Sequence, residues 1–88
     1  MRVKFFANLR RITGVKELEI EAETVESLLE KLVERYGDEF RDAILEDGRL
    51  RRFIKILRNG RDIDFEEGLK TKLDENDVIA IFPPAGGG

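Results

Sequence analysis

One stretch of this 88-residue chain constrains its fold more than any other: the stripe Val25, Leu28, Leu29, Leu32, Val33 and Tyr36. Apolar residues at that spacing line one face of an amphipathic helix. Thr24 is placed to cap it, and Gly37 is a natural stop. Glu26, Glu30 and Glu34 occupy the other face, with Lys31 and Arg35 late in the helix, where the dipole favours cations. No second stripe of this length occurs. A single helix can cover only one face of a sheet, so the other face is left to solvent or to a partner.

The segments around the helix alternate with the period of a strand. Met1, Val3, Phe5 and Ala7 fall on one side, and Arg2, Lys4, Phe6 and Asn8 on the other. Leu9 to Gly14 reads as a connection, and Val15 to Ala22 as a second strand carrying Leu18 and Ile20 inward. Beyond the helix, Asp38 to Leu45 reads as a short helical segment with Phe40, Ile44 and Leu45 inward, and Asp47-Gly48 as a turn. Arg52 to Arg58 is expected to form a third strand. Asn59-Gly60 closes it into a hairpin with a short strand over Arg61 to Phe65. Asp77 to Phe82 is the last strand, halted by Pro83-Pro84, which donate no ladder hydrogen bonds. The expected product is an α+β domain over residues 1–84, with a Gly-rich tail over 85–88.

Composition narrows the chemistry. The chain has no Cys and no His, which removes disulfides, thiolate or imidazole metal sites, and Ser–His or Cys–His catalysis. Charged residues make up 40% but the net charge is only −3, so no region is basic enough to call for nucleic acid. No apolar run is long enough to span a membrane, and the cytoplasm is the default location. The cluster Arg49, Arg51, Arg52, Lys55 and Arg58 reads as a solvated rim, because acids flank it and only Phe53 offers an aromatic platform. The pairs Asp62/Asp64 and Glu66/Glu67 read as surface charge beside a hairpin. No glycine loop of the phosphate-cradling type is present.

Two features remain. Placing Ile79 and Ile81 toward the helix sends Val78, Ala80 and Phe82 to the uncovered face, with Phe53, Leu57 and Phe6. Apolar side chains then gather there among Arg and Lys, the composition of a binding surface. One slipped register would return the same residues to the core. The second feature is the end of the chain. The four residues after Pro84 can extend about 14 Å, more than the domain's expected radius of gyration of about 12 Å. Gly86, Gly87 and Gly88 carry no side chains, so they suit a narrow channel in another protein. By composition alone the same residues read more readily as a frayed terminus.

Phe5-Phe6-Ala7-Asn8-Leu9-Arg10, Leu45-Glu46-Asp47-Gly48-Arg49-Leu50, the run from Ile54 to Gly60 and the run from Asn76 to Gly88 decide between these readings. In order and over nearly the whole length, they resemble the small subunit of molybdopterin synthase and its archaeal relatives, the small archaeal modifier proteins. The most specific match is Phe82-Pro83-Pro84 followed by two residues and a terminal Gly-Gly. Gly86 stands where that family usually has Ser, Thr or Ala, and Asn76 replaces a usual Gly.

The resemblance implies a ubiquitin-like β-grasp fold: a mixed sheet of four to five strands with one main helix on one face. It implies a carrier, not an enzyme. An E1-like enzyme would use ATP and Mg²⁺ to adenylate the carboxylate of Gly88, and a sulfur donor enzyme would convert the adenylate to a thiocarboxylate. The larger synthase subunit would then take the sulfur for molybdopterin. The chain itself would bind no cofactor and no metal. By the same resemblance, the activated end could serve tRNA thiolation or join target-protein lysines, and Phe6, Arg10 and Phe82 would contact the partners, with Gly86 and Gly87 in the partner's channel.

Overall fold

The computed structural model describes residues 1–84, and its elements follow the expected order with several short additions. Strand β1 (Arg2–Phe5) leads into helix α1 (Asn8–Thr13), and strand β2 (Glu17–Glu19) returns beside β1. The long helix α2 (Val25–Tyr36) and the short α3 (Asp38–Ile44) follow. A small hairpin, β3 (Leu45–Glu46) and β4 (Arg49–Leu50), forms its own two-stranded sheet. Strands β5 (Lys55–Arg58), β6 (Arg61–Asp62) and β7 (Val78–Phe82) complete the main sheet, in the order β2-β1-β7-β5-β6. β1 and β7 are parallel and the other neighbours antiparallel, so the sheet is mixed.

The helix α2 forms as its sequence demands. The Thr24 side chain accepts from the Ser27 N–H at 3.1 Å, and the Ser27 hydroxyl accepts from the Thr24 N–H at 3.0 Å, a reciprocal capping box. Val25, Leu28, Leu29 and Leu32 are buried against Val3, Phe5, Ile56, Ile79 and Ile81 in one core. Asn59 and Gly60 both take positive φ (52° and 84°), the geometry that lets a two-residue turn follow the twist of its strands.

Four expectations are corrected. Leu9 to Gly14 is largely helix: Leu9 and Ile12, three apart, pack inward, and the Gly14 N–H caps the helix by donating to the Arg10 carbonyl at 2.8 Å. Ala7 is exposed rather than core-facing, because β1 ends at Phe5 and the chain turns at Ala7 with φ 53°. β5 starts at Lys55, because Phe53 leaves the extended region at φ 71°. β6 ends at Asp62, whose side chain accepts from the Asp64 N–H at 2.9 Å and starts a 3₁₀ turn over Ile63–Phe65.

The entrance to β7 is fixed by a buried carboxylate. Asp77 accepts from Arg58 Nε at 2.7 Å, from Asn59 Nδ2 at 2.8 Å and from the Asp74 N–H at 2.7 Å. Burial pushes its carboxyl up, but the Asp74 N–H, Arg58 and Asn59 together outweigh burial and hold it below the ordinary carboxylate range. A depressed folded pKa contributes stability above the unfolded pKa of about 3.9 and loses it as pH falls through the folded value. Asp77→Asn is therefore expected to cost about 2–3 kcal/mol at neutral pH, the loss of charge-assisted hydrogen bonds at a buried site. The gap in Tm between wild type and variant should close below about pH 4; thermal melts across a pH series measure it. A gap independent of pH would mean the charge contributes nothing.

Candidate docking site at the end of the central strands

The parallel register sets Phe5 opposite Ile81. The residues one step further, Phe6 and Phe82, therefore turn together to the face away from α2. Their rings stack, with centroids 4.2 Å apart and planes 11° from parallel. The helix α1 then brings Arg10 back over the end of β1. Its guanidinium carbon lies 5.0 Å from the centre of the Phe6 ring, and its Nε donates to the Phe5 carbonyl at 2.7 Å. That hydrogen bond orients the cation over the ring, and the attraction adds about 0.5–1 kcal/mol at an exposed site. Arg10, Phe6 and Phe82 form one three-layer stack immediately before Pro83-Pro84.

All three residues expected to contact partners are thus brought together. Arg10 belongs to a helix rather than a loop. Phe6 and Phe82 are half-buried rather than fully exposed, because each ring covers the other. Lys4, Leu57, Val78 and Ala80 share the open face and are also half-buried, since β7 is the central strand and its neighbours flank it on both sides. Gly86, Gly87 and Gly88 lie outside the described residues.

The other candidates resolve into structural roles. Arg51 donates to the Asp42 carbonyl at 2.7 Å, Lys55 pairs with Asp62 at 3.3 Å, and Arg58 holds Asp77, so the basic cluster is divided among separate partners. Asp62 holds a 3₁₀ turn and Glu66 pairs with Arg58 at 3.3 Å, so neither acid pair is a dyad. Two features escaped the sequence. One is an open groove of about 450 Å³ beside the stack, whose walls include Asn8, Asp42, Arg51, Arg52, Pro83 and Pro84. The other is the backbone of Phe53 at φ 71°; its side chain, outward as expected and 70% exposed, has the Arg52 guanidinium carbon 5.4 Å from its ring centre. Strand periodicity gave no sign that Phe53 leaves the ladder.

Phe82→Ala is expected to cost about 1–2 kcal/mol, the stacked pair plus the covered part of one ring. That is well below the roughly 3–5 kcal/mol of a core phenylalanine. Urea denaturation measures it; a loss of core size would mean that Phe82 belongs to the interior.

A mixed five-stranded sheet wrapped on one main helix, with an aromatic–guanidinium stack at the end of its central strands, defines a ubiquitin-like β-grasp domain. The sequence matches the ThiS family over residues 3–88, and the chain belongs to that family of small sulfur carriers and ubiquitin-like modifiers, which are not themselves enzymes. It is 32% identical to small archaeal modifier protein 3 of Haloferax volcanii over 91 aligned residues, which cover 100% of this chain and 98% of that protein. It is 38% identical over 74 residues to an Archaeoglobus fulgidus protein provisionally named a sulfur carrier, covering 82% of this chain and 84% of the other. The solution structure of small archaeal modifier protein 1 from Methanosarcina acetivorans superposes with a TM-score of 0.89 at 39% identity, over 99% of this chain and 94% of that one. No helix among the described residues is long and apolar enough to cross a membrane.

Proposed function

We propose that this protein carries sulfur on the carboxylate of Gly88 and delivers it, in the cytoplasm, to the synthase that builds molybdopterin. The observation that carries the reading is the convergence of Arg10, Phe6 and Phe82 at the root of the Gly-rich end. A partner that grips the stack sits where residues 85–88 continue from Pro84. Those four residues reach about 14 Å, against a radius of gyration of 11.7 Å.

The chemistry follows from the end group. An α-carboxylate with a pKa of about 3.3–3.7 is ionised at neutral pH and is a poor electrophile. Attack of one carboxylate oxygen on the α-phosphorus of ATP expels pyrophosphate and leaves an acyl-adenylate. Hydrosulfide released by a donor enzyme then adds to the acyl carbon and expels AMP, leaving a thiocarboxylate. Glycine presents both faces of that carbon without hindrance. In this reading ATP and Mg²⁺ belong to an E1-like adenylating enzyme. The larger synthase subunit then receives the thiocarboxylate and uses its sulfur.

A second reading is supported by the likeness to small archaeal modifier proteins 3 and 1. The same adenylate, attacked by a lysine amine instead of sulfur, forms an isopeptide bond and makes the chain a protein modifier. Intact-mass measurement of the protein from its own cells separates the two. Replacement of one terminal oxygen by sulfur supports carriage, and lysines of other proteins that carry residues 73–88 of this chain after tryptic digestion support conjugation, since Lys72 is its last cleavage site. An end that is never adenylated removes both. If a thiocarboxylate forms but its sulfur passes to tRNA rather than to a molybdopterin precursor, the carrier reading stands and its acceptor is corrected.

A further inference from the structure

We propose that Phe53 and Arg52 form a second contact point for the adenylating enzyme, gripping an acidic surface of that enzyme on the far side of the tail's root from the Arg10–Phe6–Phe82 stack. The inference rests on the reading that the end of this chain is activated by such an enzyme.

Three observations carry it. The first is conformational. Phe53 sits at φ 71°, in the left-handed region that bulky side chains avoid and that Gly or Asn enters readily. Its ring buries little in return, being 70% exposed. An exposed aromatic held in a disfavoured backbone is not explained by folding, and strain of this kind collects at binding sites.

The second observation is position. Lys55, two residues on, lies opposite Phe82 in the sheet. Arg52, whose guanidinium lies against the Phe53 ring, lines the same groove as Pro83 and Pro84. The root of the tail is therefore flanked by two aromatic–guanidinium pairs, one just after β1 and one just before β5, the two strands next to β7.

The third is charge. Among the described residues neither Arg10 nor Arg52 is within ion-pair distance of a carboxylate, whereas Arg2, Arg11, Arg41, Arg51, Lys55, Arg58 and Arg61 all are. Other Lys and Arg side chains among the described residues also lack an acidic neighbour, Arg35 against the Tyr36 ring included, but only Arg10 and Arg52 combine that with a phenylalanine ring beside Pro83-Pro84. A partner surface that supplies carboxylates there, with an apolar recess for the Phe53 ring, satisfies both. Aromatic and Arg side chains are the usual energetic anchors of such contacts.

The test uses ATP–pyrophosphate exchange catalysed by the E1-like enzyme of the same organism, with the full chain as substrate. Phe53→Asn relieves the backbone while removing the ring. It is expected to keep or raise the Tm and to raise the half-saturating carrier concentration about tenfold. Arg52→Glu is expected to raise it further, with a penalty that shrinks as salt is added. Wild-type half-saturation for Phe53→Asn overturns the proposal whatever its Tm. So does an Arg52→Glu penalty that salt does not change, which would deny the acidic surface. Failure of the wild-type chain to support any exchange would instead bring down the activation reading itself, and this inference with it.

Discussion

Removing Gly88 is expected to abolish adenylation while leaving the melting temperature unchanged. The truncated chain would still end in a glycine carboxylate, that of Gly87, with the same pKa and the same freedom from side chains. Only its reach differs, by one residue or about 3.5 Å. A reacting group misplaced by about 1 Å can already cost 10²-fold in rate, so the expected loss is at least that large. Stability should not follow, because the buried core ends at Ile81. Pyrophosphate exchange measures the first quantity and a thermal melt the second. A truncated chain adenylated at the wild-type rate would show that Gly88 is not the working group; a fall in Tm would show that the tail is part of the fold.

Much of this architecture was legible because burial imposes periodicity. The α2 stripe, the inward Ile79 and Ile81, and the Asn59-Gly60 turn each follow from a local rule that the tertiary structure reinforces. The open face was legible for the same reason: once Ile81 points inward, Phe82 has to point outward. The misses share a cause. Helix α1 has only six residues, too short for a repeating stripe, and it depends on Leu9 finding the core and Gly14 closing the end. Ala7 and Phe53 take positive φ for reasons outside their own segments, and no sequence pattern marks either. The Arg10 contact is tertiary as well: α1 has to form before the guanidinium can return over Phe6. The sequence therefore placed Phe6 and Phe82 on the open face of the sheet, but left Arg10 in a connection and none of the three in contact with one another.

Adjacent phenylalanines give the sharpest test of that face assignment. Phe5→Ala is expected to cost about 3–5 kcal/mol, because its ring is fully buried and meets Tyr36 and Phe40 edge-on, each at 6.0 Å. A domain of this size has only about 4–13 kcal/mol in total, at about 0.05–0.15 per residue. The loss corresponds to a fall in Tm of roughly 12–40 °C, taking about 4–8 °C per kcal/mol. Phe6→Ala, one residue on, should cost only about 1–2 kcal/mol, since it breaks one stacked pair at a half-open surface. Its larger effect should be on the partner: the substitution removes the middle layer of the stack, leaving Arg10 without its ring and Phe82 without its cover. Urea melts and exchange assays on the two variants should therefore give opposite rankings. Phe5→Ala should lose stability yet keep its half-saturation wherever it remains folded, while Phe6→Ala should keep most of its stability and lose affinity. The reverse ranking would require β1 to sit one residue out of register, which would turn Val3 and Phe5 to the open face and leave α2 packed on Arg2 and Lys4. A core cannot bury two unpaired cations in place of those side chains without a penalty larger than the stability of the whole domain.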